Sequence, residues 1–291
     1  MGMRPLATAF LAAAIAVSAS AATDTQLVAD AKAALQRGDV DQAAKLYEQA
    51  VAMKPNDAKY HYYLGGAYGR QAQDAGIFSA MGLAKKTKAE FERAVQLDPN
   101  YLDARLALID FYMIAPGIAG GDEDKALAHA AEIKKRNALD GHRAYGRIYT
   151  RQKKTELAQK EYVEAVREQP ASPKAHYYLG NFYLSQKDWK NSLHEYEYAL
   201  KLDPNYMPAH FRIGVHAANS GSNYARGEEE LRKYLGYTPA EDEPSLASAW
   251  YYLGLIQEKQ GKKADAKQSF LQAQKLAPGS KDVKEALKRV S

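Results

Sequence analysis

The chain of 291 residues carries 40 lysines and arginines against 35 aspartates and glutamates, a formal charge of +5 that is too mild to point to nucleic acid by itself. It contains no cysteine, which excludes a disulfide framework and a lipid-bearing N-terminal cysteine, and leaves helix packing to supply stability. With 46% apolar and 26% charged residues, there is ample material for a continuous core.

At the N-terminus, Arg4 precedes a short apolar run from Leu6 to Val17 that is too brief to span a bilayer comfortably. Ala19-Ser20-Ala21 then offers a small-residue cleavage site, so residues 1–22 read as a cleaved secretory signal peptide. The expected mature chain is 23–291, exported and without an integral membrane segment. The expected destination is the periplasm of a diderm bacterium, with secretion as the second choice.

From residue 24 onward the chain is organised by repetition. His61-Tyr62-Tyr63-Leu64-Gly65 returns as His142-Arg143-Ala144-Tyr145-Gly146, as His176-Tyr177-Tyr178-Leu179-Gly180 and as His210-Phe211-Arg212-Ile213-Gly214. A shifted copy is Trp250-Tyr251-Tyr252-Leu253-Gly254, and Gly146, Gly180 and Gly214 stand 34 residues apart. Each unit shows two amphipathic helical patterns separated by a polar turn, and a proline such as Pro204 ends it. Small residues such as Gly180 and Ser192 mark places where two helix backbones approach, and Tyr183 and Tyr196 fill the space between neighbouring pairs. The units run approximately 24–57, 58–101, 102–138, 139–172, 173–206, 207–246 and 247–279. Residues 280–290 form a final amphipathic helix with Val283, Leu287 and Val290 on one side, suited to cap the last apolar face.

Trp250, Leu253, Gly254, Ala266, Phe270, Ala273 and Pro278 make up a pattern that resembles the tetratricopeptide repeat, with Gln257 where its tyrosine stands. The resemblance extends through Tyr149, Ala158, Tyr162, Ala165 and Pro170, and through Ala43, Tyr47, Ala50 and Pro55. It implies an all-α, right-handed superhelical solenoid of about seven helix-turn-helix repeats, whose concave groove holds extended peptides or partner helices.

Departures from the period mark the candidate sites. Arg143, Arg147 and Arg151 are spaced four residues apart and project from one helix face that lines the groove in the repeat frame. Asp110 and Asp103 on the neighbouring unit could neutralise part of this stripe. Tyr62, Tyr177, Phe211 and Tyr251 share one groove-facing position, and Asn181 completes the polar lining. Aromatic and arginine side chains are the usual anchors of protein interfaces. The family's carboxylate clamp needs a lysine one turn before such an asparagine; Tyr177 stands there instead. The partner expected from this lining is a protein or peptide with acidic and apolar character, rather than a nucleic acid.

The second unit carries about ten extra residues within 71–86, by the repeat spacing. The third has an enlarged turn at 115–121, Ala-Pro-Gly-Ile-Ala-Gly-Gly. Consecutive units stack, so these insertions should be neighbours, with Ile77, Phe78, Met81 and Ile118 packing together and leaving a secondary docking edge. The two insertions together resemble a subgroup of exported bacterial repeat proteins. The sixth unit ends in an acidic loop, Ala240-Glu241-Asp242-Glu243-Pro244. The glycine turn lacks phosphate-loop spacing and is followed by Asp122, Glu123 and Asp124, which suit a helix cap. His61, His142, His176 and His210 recur one per unit, too dispersed for a metal site, and read as packing residues with a polar edge. No catalytic set or cofactor motif stands out. The expected function is a non-enzymatic protein-binding scaffold of the cell envelope that uses its groove. Docking through the insertion edge is the alternative, and a carbohydrate-binding or enzyme-associated role a minor one.

Overall fold

The computed structural model describes residues 23–291; the signal peptide expected at 1–22 lies outside them. Among the described residues there are fifteen α-helices and no strand. They pair as α1 (Asp24–Arg37) with α2 (Val40–Met53), α3 (Ala58–Asp74) with α4 (Ile77–Leu97), and α5 (Leu102–Ile114) with α6 (Glu123–Arg136). Next come α7 (Ala138–Arg151) with α8 (Thr155–Glu168), and α9 (Pro173–Ser185) with α10 (Trp189–Leu202). The last pairs are α11 (Met207–Ser220) with α12 (Tyr224–Leu235) and α13 (Leu246–Lys259) with α14 (Lys263–Leu276), followed by α15 (Lys281–Arg289). Each helix packs against the next along the chain, and the first helices of several successive units also touch. This is the helical repeat solenoid expected from the sequence.

The pairing within a unit rests on one close approach. A Cβ added to Gly146, Gly180 or Gly254 would lie 2.5–2.6 Å from the ring of Tyr162, Tyr196 or Phe270, which sits on the partner helix. Gly65 and Gly214 stand in the same relation to Phe91 and Leu231, at 2.7 and 2.2 Å. Tyr196 and Phe270 are fully buried by this fit. The third unit reverses the volumes: Ile109 replaces the glycine, while α6 brings Ala126 and Ala130 into the same buried cluster. Interiors packed to this density tolerate neither a missing nor an added methyl group well.

The recurring histidines tie one unit to the next. The Nδ1 atoms of His61, His142 and His176 meet Glu90, Glu161 and Glu195 on the second helix of their own unit at 2.6–2.7 Å, and His210 meets Glu230 likewise. The Nε2 atoms of His61, His176 and His210 meet the carbonyls of Pro55, Pro170 and Pro204, the prolines that end the preceding unit, at 2.9–3.1 Å. In the third unit Arg105 takes this place, its Nε donating to the Pro99 carbonyl at 2.7 Å. The packing role expected of these residues is therefore also a hydrogen-bonding one, with a glutamate partner that the repeat phrase did not reveal.

The insertions behave differently from expectation. The extra residues of the second unit lengthen its helices, α3 to 17 and α4 to 21 residues, against 14 in both α7 and α8. The glycine turn does adjoin α4, where Gly120 meets the Lys88 side chain. The apolar residues do not bury one another: Ile77, Phe78 and Ile118 are 80%, 91% and 77% exposed, and Met81 is half-buried. Ile77 and Phe78 occupy the first turn of α4, which carries them away from the array. Asp122 caps α6 by accepting from the Lys125 amide at 3.1 Å.

The solenoid also closes on itself. The Gly279 amide, in the turn between α14 and α15, donates to the Gln36 carbonyl at the end of α1 at 2.9 Å. Gly38 and Gly279 make this approach possible, since a Cβ on Gly279 would lie 2.4 Å from the Gly38 nitrogen. First and last units thus meet at this turn.

Two outcomes are expected. Gly180→Ala should destabilise the chain by about 1–3 kcal/mol through overpacking. Gly66→Ala, which meets nothing within 4 Å, should instead gain up to about 1 kcal/mol of helix propensity. Urea denaturation distinguishes them, and equal effects of the same sign would overturn the close-approach account. The second concerns His210. Burial pulls its imidazole down, but the Glu230 carboxylate and the Pro204 carbonyl more than offset this and hold it above 6.5. A raised folded value contributes stability that is fully present below the unfolded value and is lost as pH rises through the folded one. The melting-temperature advantage of the wild type over His210→Gln should therefore be larger at about pH 5.5 than at about pH 8.5.

Candidate functional site

The concave face of the first four units lines an open cavity of about 910 Å³. Its cations are Lys32 of α1, Lys59 and Arg70 of α3, and Arg143 and Arg147 of α7; Asp103 and Asp110 of α5 oppose them. Tyr62, Tyr63 and Tyr101 supply its aromatic walls, with Tyr62 and Tyr101 edge to face at 5.2 Å between ring centres.

The arginine stripe divides by environment. Arg147 is ion-paired with Asp110, and the Arg151 Nε stands 3.5 Å from the same carboxylate, too long for a good hydrogen bond. Arg143 turns the other way: its guanidinium lies 4.8 Å from the Tyr178 ring centre and donates to the Tyr178 hydroxyl at 3.1 Å. That hydroxyl in turn donates to Asp140, which also holds Lys174. Arg143 and Arg147 line the cavity; Arg151 lies outside it, on the exposed end of α7.

The aromatic row is similarly split. Tyr62 lines the cavity. Tyr177 is half-buried further along the array, edge to face with Tyr206 at 5.7 Å, and Arg212 lies 6.0 Å from its ring centre. Asn181 beside it accepts from the Tyr196 hydroxyl at 2.9 Å. Tyr251 packs on Phe270 beneath the terminal helix, within the cluster that includes Leu287. Phe211 is only 3% exposed and belongs to the core, packed on Tyr234, so it presents no ring to the groove. The repeat position is shared, but here Tyr234 and Tyr252 pack on the ring.

The acidic loop of the sixth unit completes the cavity from across the array. Ala240 to Glu243 form a turn in which the Glu243 amide donates to the Ala240 carbonyl at 3.1 Å, placing Glu241 and Asp242 at its tip. Tyr234 anchors the exit of the loop, its hydroxyl donating to the Pro244 carbonyl at 2.6 Å. Glu241 reaches Lys32 and Lys59 at 2.7 Å each and accepts from the Tyr63 hydroxyl. Partial burial pushes the Glu241 carboxyl up, and the hydrogen bonds from Lys32, Lys59 and Tyr63 more than offset this, holding it at about 2. Asp242 meets a different surrounding. Burial raises the Asp103 carboxyl, and the negative charge of Asp242 raises it further.

Nothing in the repeat pattern singles out Lys59 or Tyr63 as a site residue, whereas Lys32 carries one signal. Lys32 stands at the same repeat position as Asp110, Arg147 and Asn181. No group of three or more metal-ligating side chains occurs among the described residues. No helix there is long and apolar enough to cross a membrane.

Gly279→Ala should part the two ends, because its Cβ would collide with backbone atoms of Arg37 and Gly38 that cannot rotate aside. The radius of gyration from small-angle X-ray scattering should rise. An unchanged scattering profile with intact helix content would contradict closure of the array.

The family profile described as "TPR repeat" matches residues 31–71, and that described as "Tetratricopeptide repeat" matches 173–206 and 247–280. A tetratricopeptide repeat protein from Parabacteroides merdae is similar in structure, with TM-score 0.52 and 16% identity, over 92% of this chain and 98% of that one. The human IFIT1 dimer with m7Gppp-AAAA gives TM-score 0.55 and 18% identity over 92% of this chain, which spans 62% of that larger one. A chain of the APC/C hetero-tetramer Cut9-Hcn1 is also similar, with TM-score 0.51 and 11% identity, over 91% of this chain and 55% of that one. No curated protein sequence matches the chain. Identities this low speak for the fold alone, and the matched stretches show that the chain contains tetratricopeptide repeats.

Proposed function

We propose that this protein is an exported, non-enzymatic scaffold that holds an acidic segment of a partner protein in its concave groove. Tetratricopeptide repeats generally serve protein–protein interaction, and the repeats here form the walls of that groove. The observation that carries the reading is the lining itself: five cations and four tyrosines line one cavity, against Asp103 and Asp110 and the loop acids Glu241 and Asp242. Burying an acidic side chain there places it among fixed donors, and tyrosine rings give contact area at little cost in entropy. The charged and apolar pattern of residues 1–22 supports action in the cell envelope, in the periplasm of a diderm bacterium. The exposed Ile77, Phe78 and Ile118 favour a second reading, docking through the edge of the second and third units.

Selection from a displayed random-peptide library separates the two. The groove reading expects enrichment of acidic residues with aromatic or aliphatic neighbours. It also expects loss of capture in the double variant Arg143→Gln, Arg147→Gln, and retention in Ile77→Ser, Phe78→Ser. The opposite pattern, in variants with wild-type circular dichroism, would favour the edge and overturn the groove.

A further inference from the structure

The acidic loop is the one place where this chain already shows what its groove accepts. Glu241 arrives on a short turn, as a residue of a bound peptide would, and its carboxylate is shared by two ammonium groups and one phenol hydroxyl. These donors come from α1 and α3, while the loop follows α12, so the contact joins residues separated by 178 to 209 positions along the chain. The contact is not a sealed one. The side chains of Lys32, Lys59 and Glu241 remain about half exposed, at 42%, 53% and 47%, and exposed ion pairs are individually weak. Asp242, next along the same turn, lines the same cavity as Asp103, whose carboxylate it disfavours by like charge. One carboxylate of the loop is thus well matched and its neighbour is not. A resident segment of this kind is held well enough to occupy the groove and loosely enough to leave it.

We propose that Lys32, Lys59 and Tyr63 form a carboxylate-binding subsite of the groove, that Glu241 is its internal occupant, and that an acidic peptide binds by taking the place of Glu241. This rests on the groove reading above and deepens it by naming where the first carboxylate of the ligand sits. With the loop in place the five cations face Asp103, Asp110, Glu241 and Asp242; its removal leaves only Asp103 and Asp110, so displacement enlarges the excess of positive charge. Arg70, Arg143 and Arg147 line the same cavity and are placed to meet further acidic side chains of a segment lying along it. The loop therefore acts as a selectivity device: a neutral segment gains nothing from displacing Glu241, whereas an acidic one replaces its contacts.

The test uses the full mature chain and a fluorescein-labelled hexaglutamate peptide, followed by anisotropy. Glu241→Gln should tighten binding about tenfold if the loop fills the subsite in about nine molecules of ten. Lys32→Met with Lys59→Met should weaken it about tenfold or more, whether or not Glu241 is present. Because the chain has no cysteine, a nitroxide on Thr238→Cys reports the loop alone. Saturating peptide should shift its spectrum to the mobile form. Equal affinity of wild type and Glu241→Gln, or an immobile label in the peptide-bound state, would overturn the exchange while leaving the groove reading intact. Loss of binding only in Arg143→Gln, Arg147→Gln would place the carboxylates elsewhere in the groove, and absence of binding in every variant would count against the groove reading itself. Free glutamate at matched carboxylate concentration is the final arm. If it mobilises the loop as well as the peptide does, the ligand class is a small acid and the peptide assignment fails.

Discussion

Everything in this molecule depends on the close approach of two helices within each unit. A backbone position without a side chain faces a ring or a branched side chain on the partner helix, as Gly180 faces Tyr196. The gap fixes the distance between the helices, and the filled volume fixes their angle, because a close-packed interface has few alternative arrangements. Repeating that fit with nearly constant spacing stacks the pairs in one sense, since each unit contacts its neighbours in the same way. The third unit shows that the volume, rather than the glycine, is what must be conserved: Ile109 on one helix is balanced by Ala126 and Ala130 on the other.

A constant rotation per unit produces a curved array, and here seven units bring the last turn back to the first. The closing contact is narrow and is made by backbone groups, with Gly38 and Gly279 allowing it. Closure changes the status of the concave face. An open solenoid offers a trough; in this one the loop of the sixth unit also faces the first two units across it. The His–Glu–Pro links between units contribute in the same direction, because each fixes the start of one unit to the end of the preceding one and so limits how the array can flex. Lys32 and Arg147 line the cavity from the first four units, whereas Glu241 joins them from the sixth only because the array curves back on itself.

Much of the fold was legible in the sequence because its cause is local. Helix starts are written by caps such as Asp39, Ser172 and Asp188, and unit ends by prolines such as Pro170 and Pro204. The candidate site was legible only in part. Arg143 and Arg147 do line the groove, while Arg151 and the core residue Phe211 do not, because a shared repeat position gives direction but not the depth to which neighbouring units cover it. The insertion departs from expectation for a related reason. Extra residues placed between two helices can extend both as readily as form a folded loop, and Ile77 and Phe78 went with the helix.

What the sequence determined by itself is therefore the unit: two amphipathic helices, their capped ends, the small-against-large seam and the order of repetition, all set by contacts a few residues to a few dozen residues apart. What only the tertiary structure decided is the meeting of the first unit with the sixth and seventh. The pairing of Glu241 with Lys32 and Lys59 leaves no trace in a period, because it depends on the rotation accumulated over the whole array. A small angle per unit cannot be read from residue types, yet multiplied along seven units it determines which side chains face one another.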